Sequence, residues 1–149
     1  MTIPYSPIGF FKTLHKNVAG TPDQPSDAIG MPGNVLVLPE YQGGLQDLVG
    51  FSHVILLYHM HEAAPRGTEP RGVFATRSPA RPNPIGMSVL RLNAIRDGVV
   101  LLENVDVLDG TPVLDIKPYI PDFDVWPAHC PDRTGAGSTP YRSGENAAC

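Results

Sequence analysis

The chain has two cysteines, one tryptophan and no apolar run near the ~20 residues of a membrane-spanning helix. Each scarcity removes a class of protein. Cys130 and Cys149 sit in a polar tail with no Cys-x-x-Cys or Cys/His spacing, so neither a structural disulfide nor a metal is expected. The opening MTIPYSPIGFFKT lacks the basic-then-apolar layout of a signal peptide. A cytoplasmic protein with no membrane partner is the expectation. No phosphate-binding loop is present, and the G-x-G at 135–137 has no strand before it, which argues against a Rossmann site. No serine nucleophile elbow appears either. The apolar fraction of 42% fits a globular chain, and 149 residues suit one domain with a real core.

Basic charge is scarce overall and concentrated locally. The formal net charge of −4 argues against a nucleic-acid partner. Residues 66–96, however, carry Arg66, Arg71, Arg77, Arg81, Arg91 and Arg96 against Glu69 alone, a net of +5 and without one lysine. Arginine suits planar, bidentate contact with phosphate, carboxylate or a base edge. About half of these six are expected merely to solvate strand edges.

Helix signals are few. YSPIGFFKTL predicts a first strand with Ile8, Phe10 and Leu14 on one face, followed by a long polar loop through residue 33. NVLVLPEY predicts a short strand stopped by Pro39, and GGLQDLVGF one helical turn. FSHVILLYHMH is the most apolar stretch and predicts a central strand; GVFATR predicts the next one. Residues 85–119 predict a meander, with Asp97-Gly98 as a type I′ hairpin and Asp109-Gly110 as a second turn. From Pro121 the chain loses periodicity and is expected to be irregular. The fold class is therefore mainly β: a single small barrel with long loops and little helix, residues 1–126, and an irregular tail, 127–149.

Polar groups cluster in three places: the Arg77 to Asn83 stretch, the His59 to Glu62 end of the central strand, and LDIKPY with Asp115, Lys117 and Tyr119. His59 and His61 share a face if the strand persists; with no third ligand in view, a polar barrel lip is favoured over a metal site. His53 suits packing or hydrogen bonding. The stretch ATRSPARPNPIG holds prolines at 79, 82 and 84. A stiff backbone lowers the ordering entropy that binding costs. Two readings of it stand level: a preorganised binding loop led by Arg77, or a tight barrel corner in which Arg77 and Arg81 hydrogen-bond loop carbonyls.

RGVFATRSPARPNPIGMSVLRL together with DGTPVLDIKPYIP resembles the signature of the TsaA-like family, which includes TrmO. PIG at 7–9, GTPDQPS at 20–26, PEY and GFSH at 50–53 match as well, so the resemblance covers about residues 5–125. It implies a β-barrel homodimer that uses S-adenosylmethionine to methylate N6 of threonylcarbamoyladenosine beside the tRNA anticodon. It further implies cofactor contacts at Pro22, Asp23, Gln24, His61, Glu62, Arg77, Met87, Val113, Leu114, Asp115, Ile116 and Lys117. His61, Arg77 and Asp115 are the expected catalytic residues; Arg81, Asn83 and Tyr119 are expected to meet the tRNA, with Trp126 a second stacking candidate. Asp23 stands where some members carry arginine, and longer members continue into a C-terminal domain. The alternatives are a methyltransferase with another nucleoside or small-molecule acceptor, and a non-catalytic barrel that binds S-adenosylmethionine or RNA.

Overall fold

In a computed structural model, residues 1–62, 72–127, 129–131 and 138–140 are described. Six strands close into a barrel: β1 (Gly9–Thr13), β2 (Pro32–Val37), β3 (His53–His59), β4 (Ile85–Arg96), β5 (Val99–Glu103) and β6 (Pro112–Pro118). Their order around the wall is β1-β2-β5-β4-β3-β6, with β6 pairing back onto β1. Every pairing in the wall is antiparallel.

Alternation decides which side chains fill the interior. Val35 and Val37 of β2, Val54 and Leu56 of β3, Leu90 of β4, Val100 and Leu102 of β5 and Val113 of β6 all point inward. The first strand is one residue out of phase with the sequence reading. Phe11 is fully buried, while Phe10 and Leu14 face outward. The register Phe11↔Val35 sets this phase, placing the larger ring inside beside Tyr58 (edge-to-face, centroids 5.7 Å apart).

Asp97-Gly98 joins β4 to β5 with both φ angles positive, 50° and 75°, as a type I′ turn requires. The predicted meander then breaks. After β5 the chain crosses the barrel end as residues 104–111, and β6 pairs with β3 and β1 rather than with β5. GVFATR is not a strand either: Val73–Ala75 form a 3₁₀ turn, because the wall already closes without them. The long loop after β1 contains 3₁₀ turns at Val18–Gly20 and Pro25–Asp27, and another covers Pro39–Leu45. Among the described residues no helix is long and apolar enough to cross a membrane.

Residues 1–119 form one compact unit and 120–149 another. Among its described residues the second holds a short helix, α1 (Pro121–Asp124), and a hairpin of β7 (His129–Pro131) with β8 (Ser138–Pro140). The side chain of Cys130 and all of Cys149 lie outside the described residues.

Candidate active site

One barrel end gathers the C-termini of β1, β3 and β5 with the N-termini of β2, β4 and β6, and residues 104–111 lie over it. That crossing is tied down from several sides. Val107 O accepts from Thr13 Oγ1 at 2.9 Å, Val105 O lies 2.8 Å from His15 Nε2, and Asp109 accepts from the Thr13 amide at 2.9 Å while pairing with Lys16. Gly33 makes the crossing possible: a Cβ there would meet Val105 Cγ2 at 2.9 Å.

The proline stretch rims the same end. Met60 N donates to Pro84 O (2.8 Å), clamping the stretch to the end of β3. Here the two readings of its arginines divide. Arg81 Nη1 donates to Thr76 O at 2.7 Å and Ser78 O at 3.2 Å, the corner role, which takes that nitrogen away from any phosphate. Arg77 is exposed and donates to Gln24 Oε1 at 2.7 Å. The fold thus brings Gln24 and Arg77, 53 residues apart, into direct contact. Pro22 and Asp23 precede Gln24 on that loop, and its turn Pro25–Asp27 lies against β4. Asn83 is exposed on the rim.

β3 ends at His59, so His59 and His61 do not share a strand face. His61 lies in the following turn with Glu62, both exposed, and its Nδ1 sits 3.4 Å from the buried Thr111 Oγ1. Among the described residues no group of three His, Cys, Asp or Glu side chains could hold a metal ion.

The remaining expected residues lie elsewhere. Met87, Leu57 and Asp115 form a row across β4, β3 and β6 on the outer wall, since Leu57 registers with both neighbours. Met87 is half exposed; Asp115 pairs with Lys117 at 2.6 Å and accepts from the Ile116 amide at 2.9 Å. Leu114 is the extra residue of a bulge opposite Leu57/Tyr58. Val113 is fully buried in the core, so its side chain is withdrawn from any ligand, and Ile116 packs against that core. Asp115 and Ile116 also border an outer pocket of about 380 Å³, walled by Ile8, Tyr41, Leu45 and Phe51. Tyr119 follows β6 at the opposite barrel end, ring edge-on to His53. The length of β3 puts it roughly 20 Å from the Arg77 rim. His53 itself takes the expected polar contact, with Ser52 Oγ at 2.9 Å.

The residue that the sequence hides is Asp106. Ser88 Oγ donates to Asp106 Oδ1 at 2.8 Å and lies 2.9 Å from Tyr58 Oη. Burial pushes the Asp106 carboxyl up to about 6, against the hydrogen bonds from Ser88 and its own backbone and the charges of His15 and Arg77. Burial, and then the Asp106 charge, push the Tyr58 hydroxyl up to about 12. In ENVDVLDG Asp106 reads as one more polar loop residue; the nearest signal was Ser88, a polar residue at an inward position of an apolar strand.

The fold is shared with proteins of known structure. The model of the tRNA-methyltransferase O N-terminal domain matches residues 10–125. A probable S-adenosyl-L-methionine-binding protein of Pyrococcus abyssi is 48% identical over 133 residues, 84% of this chain and 72% of that one. The tRNA (adenine(37)-N6)-methyltransferase of Mus musculus is 40% identical over 135 residues, 79% of this chain and 31% of that one. A crystal structure of TrmO superposes with a TM-score of 0.77 at 43% identity, over 85% of this chain and 61% of that one.

Proposed function

Because the chain belongs to the tRNA-methyltransferase O N-terminal domain family, we propose that it is an S-adenosylmethionine-dependent methyltransferase acting on N6 of threonylcarbamoyladenosine beside the tRNA anticodon. The observation that carries this reading is the Arg77–Gln24 contact. It joins the signature stretch that holds Arg77 and the supporting GTPDQPS match that holds Gln24 at one rim. The donor set suits such a cofactor: an exposed guanidinium for its carboxylate, and the Met87–Leu57 surface for its apolar parts. When bound, S-adenosylmethionine supplies a methyl group on a positively charged sulfur.

The protein's contribution is then alignment, and a rim fixed by prolines delivers it through proximity and orientation. Arg77 fixes the carboxylate, with Gln24 fixing Arg77. His61, steadied by Thr111, stands at the same end to orient the acceptor amine. Asp115, Met87 and Lys117 lie around the wall from that rim. A homodimer in which one protomer's outer row completes its partner's rim accounts for this separation. The half-exposed Met87 and Ile85 are the apolar surface such a contact would cover.

Arg81 is engaged by the Thr76 and Ser78 carbonyls, and Tyr119 lies at the barrel end opposite the Arg77 rim. These observations favour a second reading in which the cofactor stays and the acceptor is another nucleoside. Purified protein, S-adenosylmethionine and tRNA carrying the threonylcarbamoyl group, followed by nucleoside mass spectrometry, separates the two. The first reading expects a 14-Da gain on the modified adenosine; an unchanged nucleoside alongside intact cofactor binding overturns it and leaves the second. By calorimetry, Arg77→Ala is expected to weaken S-adenosylmethionine roughly 10- to 100-fold, the worth of a charged hydrogen bond. Unaltered affinity would remove Arg77 from the cofactor site.

A further inference from the structure

We propose that Asp106 accepts the proton released by the acceptor nitrogen, held for that task by Ser88 and Tyr58; this rests on the methyltransferase reading above. Three observations support it. First, the three side chains come from different segments, β3, β4 and the crossing 104–111, yet form one directed chain. The single Ser88 proton goes to Asp106, so Tyr58 must donate to Ser88, and every donor points toward the carboxylate. Second, Tyr58 and Ser88 are buried against a largely apolar core, although Thr13, His15 and Thr111 are also buried among the described residues. A hydrophobic trio would fill the same space without the desolvation cost of a carboxylate, so stability gives no reason for this one. Third, the chain lies within the electrostatic reach of Arg77, the residue placed at the cofactor rim.

The neighbours also settle which member takes the proton. Asp106 is faced by Tyr58 from β3, Ser88 from β4, His15 beyond β1 and Arg77 from the proline stretch. In this setting its carboxyl titrates near 6, suited to a base at neutral pH, whereas Tyr58 near 12 stays protonated. The acceptor nitrogen uses an electron pair to bond the methyl carbon, while the carbon–sulfur bonding pair leaves with sulfur. The N–H proton passes to the Asp106 carboxylate, and the resulting acid later returns it to solvent. An acylated adenine N6 is a weak nucleophile, and removing its proton raises its electron density.

Two readouts test the assignment in the full chain. In the cofactor-free protein, carbon-detected NMR of the Asp106 carboxyl is expected to titrate well above an ordinary aspartate. Ser88→Ala should move that midpoint higher still, since the lost hydrogen bond favoured the charged form. In single-turnover methylation of tRNA, Asp106→Asn is expected to lose roughly 10²- to 10⁴-fold in rate. Its cofactor affinity should stay within about twofold, and the acidic limb of the pH–rate profile should vanish. Ser88→Ala should shift that limb to higher pH, and it decides the matter should Asp106→Asn fail to fold. An ordinary aspartate midpoint, or an unchanged rate and limb in Asp106→Asn, overturns the assignment. A wild-type protein that binds S-adenosylmethionine but methylates no tRNA overturns the proposed acceptor and this assignment together; an active wild type with an indifferent Asp106→Asn overturns only the latter.

Discussion

Asp106 and Asp109 lie three residues apart on one crossing, and the fold pulls their carboxyls in opposite directions. Burial raises Asp106 to about 6 from 3.8; the hydrogen bond and ion pair with Lys16, then the Thr13 amide, lower Asp109. The signs of their linkage to stability are therefore opposite. The Asp106 contribution is complete below pH ~4 and is lost as pH rises through about 6. At pH 7 the charged, partly buried carboxylate costs the fold on the order of 2 kcal/mol, after allowing for partial solvent screening. Urea unfolding of Asp106→Asn should thus depend less on pH than wild type between pH 4 and 7; a parallel pair of curves would contradict this. Asp109 contributes above the ordinary carboxylate range and loses that contribution in acid. Asp109→Ala should cost about 1 kcal/mol at pH 7 and much less at pH 3 by the same measurement. Gly86 shows a steric dependence of another kind. A Cβ there would enter the Tyr58 ring, so Gly86→Ala should lower stability by about 1–3 kcal/mol by thermal melting, and displace the Tyr58–Ser88 contact with it.

At the scale of elements, what could be read from sequence depended on how local the cause was. The β4–β5 hairpin was legible because its turn chemistry is carried by two adjacent residues, Asp97 and Gly98. Gly98→Ala is expected to cost about 1 kcal/mol or more through its positive φ and the crowding of Gln42, a loss visible in the denaturation midpoint. The fate of GVFATR was not legible, since a β-rich composition does not reveal that the wall closes without it. The phase of β1 was missed for a related reason. Ile8, Phe10 and Leu14 form a plausible stripe, but pairing with β2 chose Phe11 for the interior. The proline stretch had two readings, and the structure assigns one to each arginine: Arg81 holds the corner and Arg77 the exposed rim.

At the scale of the whole molecule, the barrel class followed from many short β runs and turn residues, and the structure closes those runs into six strands. The site was legible only as a set of segments. Nothing local distinguishes Arg77 and Gln24, which meet, from Asp115 and Tyr119, which the wall holds apart from them. Asp106 stayed hidden because its character comes from two residues on other strands.

One property of the closed wall reaches back to synthesis. β1 pairs with β2 on one side and with β6, the last strand of the wall, on the other. A ribosome therefore delivers the first strand long before its second neighbour exists. Until residue 118 has cleared the exit tunnel, β1 presents an open edge, the kind that invites pairing with other chains. Nascent chains stalled before that point should be cut readily by protease and those stalled well after it should resist; equal resistance would mean that the seam does not govern folding. The mature barrel hides this hazard, having spent its most exposed edge on its own final strand.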